Sequence, residues 1–153
     1  MPIAAATEVA TKSERYPMLF SPIKVGTQTV KNRLWMPPVS TNLAIDHGHV
    51  SEALIEHYTN RAKGGVGLIV TEVVTVEPTY VYLPGDMCMA DDSFVLGWEK
   101  LAAGVHEYGA KILPQLFHPA YMAFPIPGTP KLIAPSFVGP YYAREAPRPV
   151  TRE

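Results

Sequence analysis

The chain has 153 residues, a formal net charge of -1, 47% hydrophobic residues and 18% charged residues, a composition typical of a folded domain. Such a small net charge offers no electrostatic footprint for nucleic acid or for an anionic membrane surface. No apolar stretch approaches the roughly 20 residues that span a bilayer, and the single cysteine, Cys88, excludes an internal disulfide framework. We therefore expect a cytoplasmic protein.

The two ends of the chain carry little signal for regular structure. Residues 1–16 are predicted to form a flexible arm rather than a signal peptide, because Glu8 and Lys12 interrupt the apolar region that a signal peptide requires. At the other end, proline is frequent enough to predict an extended loop with little regular structure. The prolines of the last third are Pro119, Pro125, Pro127, Pro130, Pro135, Pro140, Pro147 and Pro149.

The first predicted elements are a hairpin and a strand. Residues 19–32 mix apolar and polar positions on both sides of a turn centred on Gly26, a pattern typical of a short β-hairpin. Residues 33–36 then form an apolar run that Pro37 and Pro38 stop. This run predicts a buried strand that ends in a loop.

Two helices and two further strands follow in alternation. The first helix begins at Ser51 and ends at residues 64–65, which are both glycine, and the second ends at Gly109. Apolar positions at helical spacing define their buried stripes, which are Leu54, Ile55, Tyr58 and Ala62 in the first and Trp98, Leu101, Ala102 and Val105 in the second. Residues 66–71 and 111–116 predict strands, although Pro114 removes a ladder donor from the latter. The alternation predicts βαβ units and a parallel sheet.

Several motifs share one order and spacing with a known family. They are Leu19-Phe20-Ser21-Pro22-Ile23, Lys31-Asn32-Arg33-Leu34-Trp35-Met36-Pro37-Pro38, residues 58–72, residues 105–111 and Gln115-Leu116-Phe117-His118. From about residue 17 onward the chain resembles the old yellow enzyme / NADH:flavin oxidoreductase family. It is most similar to the branch of the 2,4-dienoyl-CoA reductases and bile-acid-inducible enoate reductases.

The resemblance implies an α/β fold, the N-terminal part of a TIM (β/α)₈ barrel, with FMN at the carboxyl ends of the strands. It also implies that NAD(P)H reduces the flavin, whose N5 passes hydride to an activated C=C bond of an enoate- or enone-type substrate. Residues 17–153 would supply about three of the eight strands of a barrel that needs about 250 residues. Thr151, Arg152 and Glu153 look like the beginning of a further helix.

This incompleteness sets the expected partners. We expect the chain to need the remainder of the barrel, encoded in the same gene or as a separate chain, and to be inactive alone. A small alkene is the expected substrate, nucleic acid and membrane are not expected partners, and a homo-oligomer remains open. In the family the catalytic proton donor falls later in the chain, as do the 4Fe-4S cluster and FAD of longer members, so the catalytic residues are unknown here.

The cofactor-binding residues come from the resemblance. Pro37, Pro38, Val39 and Ser40 match the family's first flavin-contacting turn, with the Ser40 hydroxyl at the N5/O4 edge of the flavin. Val73, just after the second predicted strand, matches a position usually filled by Gly or Ala. Gln115 matches the glutamine whose amide, with both donor and acceptor groups, bonds the pyrimidine edge of the flavin.

His118 is a candidate for the substrate loop. In many family members its motif continues as Ala-Gly-Arg, whereas this chain has Pro119-Ala120-Tyr121, so contacts from this loop are expected to differ. The other candidate ligands are weaker. His47 and His49 are predicted to be solvated loop residues rather than metal ligands, and Cys88 is predicted to be a structural residue in a loop.

Two other interpretations remain. The chain could serve as a non-catalytic interaction or oligomerisation module that pairs through an exposed sheet edge. A different FMN barrel, one that oxidises 2-hydroxy acids, is disfavoured by Lys31-Asn32-Arg33 and by the Gln115-Leu116-Phe117-His118 motif.

Overall fold

The computed structural model describes residues 11–77, 82–123, 132–136 and 147–151. Most of the predicted N-terminal arm, most of the proline-rich loop and the last two residues of the predicted helix start lie outside these residues. A four-residue helix, α1 (Lys12–Arg15), comes first. None of the described helices is long and apolar enough to cross a membrane.

The predicted hairpin is confirmed. Strands β1 (Ile23–Val25) and β2 (Gln28–Val30) pair antiparallel, with Val25 opposite Gln28. Gly26 lies in the turn at a φ of 58°, a left-handed conformation that costs glycine no steric penalty.

A parallel sheet forms the centre of the described fold. Strand β4 (Leu68–Thr75) lies between β3 (Trp35–Met36) on one edge and β6 (Lys111–Phe117) on the other. Helix α2 (Glu52–Lys63) connects β3 to β4, and α3 (Val95–Glu107) connects β4 to β6. The predicted βαβ alternation is therefore confirmed.

The helices begin and end where local chemistry predicts. The Ser51 hydroxyl accepts the Leu54 backbone N–H at 3.1 Å and caps α2, and Gly65 follows that helix at a φ of 107°. Before α3, a 3₁₀ turn (Asp92–Phe94) is capped by the Asp91 carboxylate, which accepts the Ser93 N–H at 2.8 Å. Gly109 ends the α3 segment at a φ of 67°.

One apolar cluster lies between the helices and one face of the sheet. Its members are buried and come from both helices, the central strand and the adjoining segments: Leu54, Tyr58, Ala62, Ile69, Val74, Met87, Leu101, Val105 and Ala110. The predicted helical stripes thus supply most of the helical side of the core, with Ile55 and Trp98 packed at its margin.

The prediction that residues 33–36 form a buried strand is wrong in its burial. Strand β3 is only two residues long, and Trp35 is 51% exposed. Met36 pairs with Ile69, which belongs to the core. Trp35 pairs with Leu68, the residue before Ile69 on the strand. Because successive side chains alternate between the faces of a sheet, Trp35 lies on the face opposite the core.

Strand β4 is longer than predicted, and this moves Val73. The strand begins at Leu68 and continues to Thr75, so Val73 lies inside it rather than just after it. Between Val70 and Val73 the register with β6 shifts, which sets Thr71 and Glu72 against Pro114 alone. A β-bulge is a place where proline is tolerated within a sheet, which explains how Pro114 fits in β6.

Three short strands complete the description. Cys88 is buried within β5 (Met87–Cys88) and not in a loop as predicted. Strand β5 pairs with Val74 and Thr75, which also pair with β6, so β5 must lie on the β3 side of β4. In the proline-rich tail, β7 (Ile133–Ala134) and β8 (Arg148–Pro149) form a parallel pair.

Candidate flavin site

The predicted cofactor-binding residues lie at one edge of the sheet. Because β3, β4 and β6 are parallel, their carboxyl ends share an edge. Residues 37–40 follow β3 there, while Val73 and Gln115 lie in the last three residues of their strands. His118 comes directly after β6. In αβ barrels this edge is where active sites are built.

Val73 and Gln115 are brought into direct register. They are paired across β4 and β6, so their side chains emerge on the same face. Ile112 packs against the core, and alternation along β6 therefore puts Leu113 and Gln115 on the opposite, open face. Leu113 is 47% exposed there. The Gln115 amide thus lies on the same face as the exposed Leu113, two residues nearer the carboxyl edge.

The turn after β3 is exposed. Pro37, Pro38, Val39 and Ser40 are all exposed, and Val39 keeps 59% of its surface accessible. The two prolines have no N–H to offer β4. Thr41 re-attaches the chain, because its backbone N–H donates to the Glu72 Oε2 in the middle of β4.

The bulge in β4 replaces ladder hydrogen bonds with side-chain ones. The Gln115 N–H donates to Thr71 Oγ1 at 3.4 Å, and the Thr71 hydroxyl donates to the Glu72 carbonyl at 2.9 Å. The Glu72 N–H donates to the Tyr58 hydroxyl at 2.9 Å. Tyr58 thus links helix α2 to the bulge that bears Glu72.

The electrostatics of this region are set by burial. Glu72 is fully buried, and desolvation raises the pKa of its carboxyl, an effect that the Thr41 N–H partly offsets and that Asp86 reinforces. Desolvation also raises the pKa of Asp86 and raises the pKa of Tyr58 to about 12. Burial disfavours the charged form of each group. In each carboxyl, one oxygen accepts a backbone N–H, and the other, Glu72 Oε1 or Asp86 Oδ1, is buried without a hydrogen bond to any residue that the structure describes.

A second set of contacts ties the β3 loop to the loop before β5. The Asn42 Oδ1 accepts the Gly85 N–H at 2.7 Å, and the Ala44 N–H donates to the Gly85 carbonyl at 3.1 Å. Asn42 has a φ of 59°, which asparagine tolerates better than most residues. A Cβ on Gly85 would lie 2.5 Å from the Asn42 carbonyl oxygen, so only glycine fits this contact.

His118 turns back on its own loop. Its Nδ1 accepts the Ala120 N–H at 3.0 Å, so a neutral ring carries its proton on Nε2. Ala120 has a φ of 50°, and it stands where the family motif has glycine. The departure from the motif therefore puts a side chain on a left-handed backbone position.

His47 and His49 lie farther along the loop after β3 and were predicted to be solvated rather than metal ligands. His47 is exposed as predicted, whereas the prediction is wrong for His49, which is partly buried and stacks on Phe94 with ring centroids 4.3 Å apart. Within the part of the chain that the structure describes, no three His, Cys, Asp or Glu side chains form a group that could hold a metal ion.

Sequence reasoning assigned no role at the site to the residues whose hydrogen bonds support the turn and the segments beside it, although it placed Tyr58 in the buried stripe of the first helix. These are Thr41, Asn42, Tyr58, Thr71, Glu72 and Asp86. One signal was available: Glu72 is the only charged residue in the run from Val66 to Val76. A charge within a buried strand must find a partner or a purpose, but its partner cannot be read from spacing.

Comparison with known proteins agrees with this geometry. The profile of the NADH:flavin oxidoreductase / NADH oxidase family matches residues 18–139. An NADH oxidase of Thermoanaerobacter brockii is 40% identical over 138 residues, which cover 89% of this chain and 21% of that protein. A cinnamate reductase of Clostridium sporogenes is 36% identical over 108 residues, or 67% of this chain and 16% of that protein.

The fold is shared with solved structures. The old yellow enzyme of Trypanosoma cruzi superposes with a TM-score of 0.72 at 28% identity, over 82% of this chain and 36% of that chain. The chain spans about a fifth of the length of the NADH oxidase that it matches. It belongs to the NADH:flavin oxidoreductase / NADH oxidase family, that of the old yellow enzymes, and its α/β fold is an incomplete portion of their TIM barrel.

Proposed function

We propose that this chain forms one wall of the FMN site in an oxidoreductase that passes hydride from NAD(P)H to the activated C=C bond of an enoate- or enone-type substrate. The observation that carries the proposal is the meeting of three features at one sheet edge. These are the exposed turn after β3, the register pair of Val73 with Gln115, and the loop of His118.

The donor set of this edge suits a flavin ring. A flavin presents an apolar ring system with alternating donors and acceptors along its pyrimidine edge. The Gln115 amide supplies both a donor and an acceptor, and the Ser40 hydroxyl can serve as either. Val39 and Leu113 also expose apolar surface, in the turn after β3 and in β6 respectively. Val73, which is larger than the usual Gly or Ala, pairs with Gln115 in the sheet. The exposed turn after β3, rather than Val73, would then make the closest backbone approach to the flavin.

When bound, FMN would supply the hydride chemistry, which is a property of the cofactor. The residues of this chain would bind and orient it. Gln115 would fix the in-plane orientation of the ring, Ser40 would donate to its N5/O4 edge, and the exposed side chain of Leu113 would help to exclude water. His118, with Nδ1 held by the Ala120 N–H, would form part of the substrate loop.

The substrate class is supported by the relatives. The similarity to a protein named cinnamate reductase favours an alkene conjugated to a carboxylate. Because the chain spans only 16–21% of the relatives named above, we propose that turnover needs barrel elements outside this chain and that the chain alone binds FMN weakly and is inactive.

The test is an FMN titration followed by flavin fluorescence, with the purified chain and with any longer polypeptide that contains it. Gln115→Ala is expected to weaken FMN binding about tenfold, the value of one or two hydrogen bonds. Gln28→Ala in the exposed hairpin is the matched control and should leave the affinity unchanged. An anaerobic assay with NADH or NADPH, FMN and cinnamate then tests the reaction.

The outcomes separate the claims. FMN binding that Gln115→Ala weakens, together with cinnamate reduction by the longer polypeptide, would support the proposal. Equal FMN affinity in both variants would remove Gln115 from the site. Oxidation of 2-hydroxy acids without any reduction of enoates would refute the substrate class.

A non-catalytic interaction module is the second candidate. It is favoured by the exposure of Leu113 and Leu116, which alternate between opposite faces of β6. Under this proposal the folded chain would bind no FMN at all and would self-associate through apolar surface. Sedimentation of the chain with and without FMN distinguishes the two candidates.

A further inference from the structure

The central strand buries one acidic side chain whose position local sequence does not explain. Glu72 has no exposed surface, and it sits between Thr71 and Val73 in a strand that is otherwise apolar or hydroxyl-bearing. Buried carboxyls are costly unless they are hydrogen-bonded. The hydrogen bonds of Glu72 therefore show what its carboxyl holds in place.

The bulge explains how a strand residue can reach sideways. Thr71 and Glu72 together oppose Pro114, so Glu72 leaves the regular ladder. Its N–H is taken by the Tyr58 hydroxyl of helix α2 at 2.9 Å. With its backbone anchored to the helix layer, the carboxylate is oriented toward the loop after β3.

The loop after β3 needs an anchor at this point. Pro37 and Pro38 have no N–H with which to continue pairing with β4. The backbone N–H of Thr41 donates to Glu72 Oε2, and the next residue, Asn42, is bound to Gly85. The exposed residues 37–40 are thus held by β3 at one end and by the hydrogen bond between Thr41 and Glu72 at the other.

We infer that Glu72 is the positioning residue of this turn: its carboxylate holds the Thr41 amide and so sets the backbone of residues 37–40 that would face the flavin. The statement about the flavin rests on the proposed function, whereas the hold on Thr41 does not. Glu72 does not touch the ring and acts only through Thr41. Tyr58 sets the bulge from which the carboxylate reaches the turn.

The first measurement is amide hydrogen exchange at Thr41 in the unsubstituted chain, followed by NMR. We expect this amide to be strongly protected, although residues 37–40 around it are exposed. Exchange at the rate of an unstructured peptide would overturn the inference without any substitution.

Two substitutions then separate hydrogen bonding from packing. Glu72→Leu removes the acceptor and keeps an apolar side chain of similar size, while Glu72→Gln keeps an acceptor oxygen. In the leucine variant Thr41 should exchange at least about tenfold faster, with the amide of Ile112 in the core unchanged. In the glutamine variant protection should return to within about threefold of the original. Glu56→Gln on the exposed face of α2 is the control and should change neither rate.

FMN affinity, measured on the same variants, completes the test. We expect the leucine variant to bind FMN about tenfold more weakly and the glutamine variant to recover most of the loss. Thr41 protection that is the same in all variants overturns the inference, as does undiminished FMN binding when Thr41 is unprotected. If the unsubstituted chain and longer polypeptides bind no FMN, the proposed function fails, and the exchange rates still decide whether Glu72 holds the turn.

Discussion

The hydroxyl of Tyr58 is expected to contribute measurably to the stability of the chain. The ring lies in the core without exposed surface, and the hydroxyl accepts the Glu72 N–H at 2.9 Å. Tyr58→Phe keeps the ring and removes only the acceptor, so the Glu72 N–H is left buried without its partner. The free energy of unfolding should fall by about 1–3 kcal/mol, the cost of a buried unsatisfied group.

Urea denaturation followed by circular dichroism measures this loss directly. For a chain of this length, a loss of about 2 kcal/mol should lower the melting temperature by roughly 4–8 °C. Tyr16→Phe, at a half-exposed position, is the matched control and should stay within about 0.5 kcal/mol of the original. If Tyr58→Phe also stays within that range, the link between α2 and the bulge has no energetic weight.

Tyr58→Phe should also change how the free energy of unfolding depends on pH under alkaline conditions. Burial raises the pKa of Tyr58 from its ordinary value of 10.0 to about 12, so the fold favours the neutral hydroxyl. The stability that this preference contributes is complete below pH 10 and is lost as the pH rises toward 12. Between pH 10 and 12 the unsubstituted chain should therefore lose stability faster than Tyr58→Phe. The difference between their free energies of unfolding should narrow over this range.

Three further predictions concern the loops and carboxyls around the site. Ala120→Gly should raise the free energy of unfolding by about 1 kcal/mol, because glycine adopts the φ of 50° without a Cβ penalty; an unchanged urea midpoint would contradict this. Gly85→Ala should destabilise the chain by about 1–3 kcal/mol, since its Cβ would lie 2.5 Å from the Asn42 carbonyl oxygen; ordinary stability in a thermal melt would show that the loop contact is dispensable. Burial raises the pKa values of Glu72 and Asp86 above their ordinary values of 4.5 and 3.8, so their contribution to stability is complete below those values and is lost as the pH rises through the folded pKa values. Glu72→Gln should therefore show a smaller loss of stability with rising pH than the original chain. Parallel pH profiles of the two proteins in urea denaturation would show that the pKa of Glu72 is not raised by folding.

The helices and the hairpin could be predicted because their signals are local. Ser51 caps α2 through an amide three residues away, and Gly26 and Gly65 hold positive φ angles where turns require them. Apolar residues at helical spacing identified Leu54 and Leu101 as core residues before any packing was known. Each of these features depends on neighbours within one or two helical turns.

The support of the site could not be predicted in the same way. Glu72 meets Thr41 across 31 residues and Tyr58 across 14 residues, and nothing in the spacing of the sequence pairs them. The exposure of Trp35 likewise depends on the register of β3 against β4. The predictions missed the bulge as well, because a bulge is a property of two strands together.

The sequence by itself determined the order of the hairpin, the three main strands and the two long helices, the buried stripes of those helices and, through its motifs, the family. Tertiary structure alone decided that Val73 lies within β4 opposite Gln115, that Pro114 is absorbed by a bulge, and that a buried carboxyl anchors the turn after β3. The physical reason is that local signals act through backbone conformation and periodicity. Which side chains meet at the carboxyl edge is set by strand register, where a shift of one residue moves a side chain to the opposite face.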